Sequence, residues 1–176
     1  MKNILLLIVL FIVTPSLHAT QQTPDVLEYQ GSKLKLDTGW GHPSPLETYY
    51  SENKIKYPFK GRNTGNYRGH IATWVIEDDK LFLKAIYSNK KNYSPAELNI
   101  QSKTKSPNNS SLVLADWFNG VIDSEHFDKS KEEWEFLGKY IFYIREGKII
   151  DKVKLAREDF KVLNEAKKED LPKHLD

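Results

Sequence analysis

The chain has no cysteine among its 176 residues and a single methionine, the first residue. A thiol nucleophile, a disulfide framework and a cysteine-ligated metal are therefore excluded. An excess of charge of one sign is also missing, since 26 Lys and Arg stand against 24 Asp and Glu. A near-neutral protein carries no global field to gather nucleic acid or anionic lipid, so neither is expected as a partner. Long apolar stretches are confined to one place, Ile4 to Val13. That run is about ten residues, too short to cross a hydrocarbon core of about 30 Å as a helix.

What is present starts with that same run. Lys2 precedes it, and Ser16-Leu17-His18-Ala19 follows it and ends on a small residue. The pattern predicts a secretory signal peptide over residues 1–19, cleaved after Ala19, and hence a periplasmic or secreted protein. Without cysteine there is no lipid-modified residue at the cleavage site, so no stable membrane insertion is expected after cleavage. Residues 20–25 read as a flexible lead-in and 26–176 as one globular domain. With no disulfide to help, that domain has to hold together through its core.

The stretch Tyr67 to Tyr87 dominates the rest. Two runs rich in β-branched and aromatic residues flank Asp78-Asp79, which predicts a β-hairpin. A two-residue loop sets Ile76 opposite Leu81, Trp74 opposite Leu83, Ala72 opposite Ala85 and His70 opposite Tyr87. Side-chain alternation then puts Arg68, His70, Ala72, Trp74 and Ile76 on one face. Ahead of it, Val26–Tyr29 and Ser32–Leu36 around Gln30-Gly31 read as an opening hairpin. Behind it, Lys139–Arg145 and Lys148–Lys154 around Glu146-Gly147 read as another, with Ile144 opposite Ile149 and Tyr140 opposite Val153.

Three Ser-x-x-Glu signatures punctuate the strands. Ser44-Pro45-Leu46-Glu47 has the form of a capping box and predicts a short helix to about Glu52. Ser94–Glu97 repeats it, and Ser130–Glu133 repeats it before Trp134–Leu137, closed by Gly138. Lys54–Gly65 and Lys90–Ser111 read as loops, Leu112–Ile122 as a strand broken near Asn119-Gly120, and Ala156–Asp170 as an amphipathic helix through Phe160, Leu163 and Ala166. The fold class expected is α+β and β-rich, a mainly antiparallel sheet built from hairpins with short helices and a C-terminal helix.

Chemistry is sparse. There is no nucleophile elbow, no phosphate-binding glycine loop and no pair of histidines at metal spacing, so no catalytic residue, cofactor or metal is assigned. Asp123–Asp128 packs three carboxylates and His126 into six residues, but it lacks the ligand spacing of a calcium loop and reads as a solvated acidic loop. Two clusters are candidates for binding. Arg68, His70 and Tyr87 lie where the apolar hairpin face runs out, a rim suited to a polar or anionic ligand. Their structural alternative is an arginine paired to a carboxylate and a satisfied core histidine. Asp116 and Trp117, in the run Asp116–Gly120, form the second cluster, with Asp116 a possible partner of Arg68. Trp40, between Gly39 and Gly41, is either a core plug or a stacking platform.

Three of these segments, Arg68–Ile76, Lys80–Leu83 and Asp116–Gly120, resemble a group of uncharacterised bacterial domains. That group shares an R-G-x-apolar-A-T-W-x-I strand, a K-L-apolar-L strand and a D-W-(F/Y)-x-G segment. The resemblance spans roughly residues 26–154 and implies a common fold. It brings no activity. From export, size and the missing catalytic set, the expected function is an exported non-enzymatic binding module, of the inhibitor or immunity type, with a protein partner. The alternatives are a small envelope hydrolase or carbohydrate-binding protein using Arg68, His70 and Asp116, and a structural envelope protein.

Overall fold

The computed structural model describes residues 22–37, 44–61, 63–103, 111–128 and 135–160. The expected signal peptide, Trp40 and most of the expected C-terminal helix lie outside them. The elements in chain order are β1 (Asp25–Tyr29), β2 (Ser32–Asp37), α1 (Pro45–Glu52), β3 (Ile71–Glu77), β4 (Lys80–Ser88), β5 (Lys91–Tyr93), a 3-10 turn (Ala96–Leu98), β6 (Val113–Leu114), β7 (Gly120–Asp128), β8 (Glu135–Arg145) and β9 (Lys148–Ala156).

The structure is β-rich, and seven strands close into a barrel in the order β3–β1–β2–β7–β8–β9–β4 and back to β3. Every neighbouring pair is antiparallel except β1–β3, which is parallel. A sheet of antiparallel hairpins is thus the coarser description, because closure leaves most strands with a neighbour on each side. The three expected hairpins are present. Their turns carry positive φ at both central residues, at Gln30-Gly31, Asp78-Asp79 and Glu146-Gly147, as a type I′ connection requires. Asp78-Asp79 does this without a glycine, which aspartate tolerates better than most residues.

Bulges change the expected registers. Ile76 pairs with Leu81 and Trp74 with Leu83, but the register then shifts, setting Thr73 opposite Ala85, Ala72 opposite Ile86 and Ile71 opposite Tyr87. Lys84 is the extra residue, and it is exposed. The insertion lets Leu83 and Ile86 both point inward and turns Tyr87 out to water, 44% exposed and off the face of His70. The last hairpin behaves alike. Ile144 pairs with Ile149, Ile150 is the extra residue, and Tyr140 faces Lys154 where Val153 was expected. Two further expectations are corrected. Glu135–Gly138 belong to β8 and not to a short helix, and Asp123–Asp128 form strand β7 and not a loop.

Closure is narrow. β9 meets β4 at Lys80 and Lys148 alone, with Leu81 N–H donating to Gly147 O (2.8 Å) and Ile149 N–H to Asp79 O (2.8 Å). The rest of that β4 edge is taken by β6 and β5. From Ile150 onward β9 runs past the β3–β4 turn as an overhang. The barrel interior is filled by Leu27, Leu34, Leu36, Trp74, Leu81, Leu83, Ile86 and Phe142, all at most 2% exposed. Burying side chains of this size is what replaces disulfides, at about 1.5–3 kcal/mol for each.

Candidate functional site

One end of the barrel is capped by α1 and the segment 57–60. The capping box forms as the sequence predicts: Leu46 N–H donates to Ser44 Oγ (3.3 Å) and Ser44 N–H to Glu47 Oε2 (3.1 Å). The same Ser44 hydroxyl donates to Asp25 Oδ2 at 2.7 Å. Asp25, the last residue of the expected flexible lead-in, is fully buried and starts β1. Its carboxylate also accepts Ala72 N–H (3.0 Å) and Trp74 Nε1–H (3.3 Å). Arg68 Nη2 lies 3.2 Å from Asp25 Oδ1 and donates to Thr23 O at 2.8 Å.

His70 completes this cluster. It is fully buried, its Nδ1 is hydrogen-bonded to the Tyr57 hydroxyl, and Phe59 lies against its ring at 5.0 Å. Gly69 makes that approach possible. Its φ is +76°, and a Cβ there would sit 2.2 Å from Lys60 O. Burial, helped by the Arg68 charge and opposed by Asp25, lowers the His70 pKa and holds the ring neutral. Burial raises the Tyr57 hydroxyl, reinforced by Glu47, and pushes Tyr50 up to about 12, with Tyr49 adding to it.

The sequence placed Arg68 and His70 together, and they are adjacent, but they face inward. Arg68 is 2% exposed. An acid or base exchanging protons with a substrate needs access that neither residue has. Tyr87 has left the cluster through the β4 bulge. The carboxylate of Asp116 accepts from Ser102 Oγ (2.7 Å) and Lys103 N–H (3.0 Å), and the ion pair of Arg68 is with Asp25. Trp117 is 1% exposed, packs its ring on Tyr49 at 4.7 Å and donates Nε1–H to Pro45 O at 2.8 Å. It fixes α1 to the barrel. Among the described residues no three His, Asp or Glu converge as a metal site.

Sequence reasoning missed Asp25. One signal was available, a carboxylate immediately before an alternating apolar run, where a strand's first residue can face the core.

The other end, where β1 and β3 finish, has no helix over it among the described residues. A groove of about 390 Å³ runs between the β1–β2 turn and the end of β3, bordered by Glu28, Tyr29, Lys33 and Glu77. Tyr29 stacks edge-on against Tyr140 (5.4 Å) and Phe142 (5.1 Å). Beside the groove stands the β7–β8–β9 sheet. On its outer face Val121 lies opposite Tyr143, and Ile141 opposite Val153. Val121, Tyr143, Val153 and the bulged Ile150 are exposed, Ile150 by 57%. Among the described residues no strand pairs with the edge of β9 away from β8 beyond the closure with β4 at Lys148.

No family model, no curated protein and no solved structure matches this chain. The resemblance carried by Arg68–Ile76, Lys80–Leu83 and Asp116–Gly120 therefore rests on those segments alone, and the site has to be read from its own chemistry.

Proposed function

We propose that this chain is an exported, non-enzymatic module that binds another protein, of the inhibitor or immunity type, through the β7–β8–β9 side of its barrel. The observation that carries the reading is the exposed row of Val121, Tyr143, Val153 and Ile150 next to a strand edge with no described neighbour. Aromatic and branched residues gathered on one outer face are what a protein partner buries. The groups that would have served catalysis, Arg68 and His70, are spent inside the barrel as ties between β1, α1 and the segment that leads into β3. Export is carried by the Met1–Ala19 pattern, and the binding role does not depend on it.

Affinity capture tests the reading. The tagged chain is expected to retrieve one stoichiometric protein from an envelope extract, and the variant Tyr143→Asp with Val153→Asp is expected to lose it. Recovery of nothing above background across a series of salt concentrations would refute the binding role. Recovery undiminished in the double variant would move the surface elsewhere.

A further inference from the structure

The β9 edge is more specific than an apolar patch. Past the closure point two N–H groups on the edge away from β8 are held by carboxylates rather than by a strand: Lys152 N–H donates to Asp151 Oδ1 (2.8 Å) and Ala156 N–H to Asp159 Oδ2 (2.7 Å). Edge-facing positions recur every two residues, so Lys154 N–H faces the same way. This is main chain ready to pair, already donating to side-chain oxygens. The side chains along it alternate. Lys152 and Lys154 line one face, opposite Phe142 and Tyr140, while Asp151, Val153 and Leu155 line the other. Lys154 sits over the Tyr140 ring at 5.6 Å, and Lys152 reaches Asp79 at 3.4 Å, an exposed ion pair. Such a pair contributes little and is readily exchanged for another carboxylate.

A second copy of this chain is a poor occupant. Two-fold antiparallel pairing keeps opposed residues on one face, so each residue must meet one of its own parity. Every such register centred on residues 152 to 154 then sets a lysine opposite a lysine, and the one centred on 151 sets Asp151 opposite Asp151. Like charges directly opposed destabilise a strand pair. The features that exclude self-pairing suit a different strand.

Resting on the binding role above, we propose that β9 accepts an added strand from its partner: an extended segment with carboxylates at alternate positions facing Lys152 and Lys154, and apolar residues facing Val153. Main-chain hydrogen bonds to the added strand replace those donated to Asp151 and Asp159, and the alternating side chains set the register.

The test uses a fluorescent peptide alternating Glu and Val, one alternating Lys and Val, and the Glu/Val peptide N-methylated on every second residue. Fluorescence anisotropy with the purified chain is expected to show the Glu/Val peptide binding at least about tenfold tighter than either control, weakening as salt rises. The Lys152→Glu, Lys154→Glu variant should reverse the preference between Glu/Val and Lys/Val. Both sites are exposed, and circular dichroism checks that the variant folds. Exchange of the Lys154 amide proton should slow when the Glu/Val peptide is bound. Equal binding of the three peptides, no binding of any, or an unchanged ranking in the variant overturns the proposal. If an envelope partner is captured equally by the charge-reversed variant, the edge proposal fails and the binding role stands. If the Glu/Val peptide binds but no partner is ever captured, the edge stands and the role fails.

Discussion

The two ends of this barrel use the same kinds of residue to opposite ends. At the capped end Asp25 and Arg68 form an ion pair with side chains at most 1% exposed, and three further hydrogen bonds close around the carboxylate. At the overhang Lys152 and Asp79 form one in water, with side chains 50% and 68% exposed. Coulomb's law is the same in both places, but the medium is not. Neither partner of the buried pair can be removed alone without stranding the other's charge, so the pair serves to fix structure. The exposed pair can be exchanged for a partner's carboxylate at almost no loss, so it stays available for binding.

The largest break in that contrast is Asp25→Ala. It leaves the Arg68 guanidinium buried without its carboxylate, and a loss of about 3–5 kcal/mol is expected in urea unfolding. A loss under about 1 kcal/mol would mean that water reaches Arg68 and that the capped end is not dry. Ser44→Ala comes next. It removes both the helix cap and one donor to Asp25, and should cost about 1–2 kcal/mol by the same measurement.

Acid sensitivity sharpens the comparison further. The folded His70 pKa lies below the unfolded value of 6.5. As pH falls from 6.5 toward the folded value, the unfolded chain takes up a proton that the folded one refuses, and stability drops. Above pH 6.5 this contribution is constant. The urea midpoint should therefore fall between about pH 6.5 and 5, before most carboxylates titrate, and His70→Asn should flatten that slope whatever it does to the baseline. At the alkaline side the sign reverses. Tyr50 keeps its proton to about pH 12 when folded but releases it near 10 when unfolded, so stability should decline through that window and Tyr50→Phe should remove part of the decline. The smallest effect belongs to the other end: Lys152→Ala should change stability by less than about 0.5 kcal/mol, within the range of surface substitutions. A larger loss would show that the overhang is a structural tie after all.

Much of this was legible locally. The capping box at Ser44, the three two-residue turns and the inward face of Arg68, His70, Ala72, Trp74 and Ile76 all follow from side chains and backbones within a few residues of one another. The registers were legible only as far as the first bulge. Lys84 and Ile150 look like ordinary members of an alternating run, and nothing in the run marks them as extra. What ejects them is the fit of Ile86 and Phe142 against strands from elsewhere in the chain.

The alternation of apolar residues and the chemistry of the turns determined by themselves that this chain makes β-hairpins around an aromatic core without cysteine. They also determined which side of β3 faces inward. Only the tertiary structure decided that the hairpins close into a barrel through a parallel β1–β3 contact, that Arg68 is answered by Asp25, and that β9 has an edge with no partner strand among the described residues. The physical reason is range. A turn or a cap is settled by neighbours in the chain, whereas the oxygen that accepts Ala72 N–H lies 47 residues away and is set by the packing of the whole barrel.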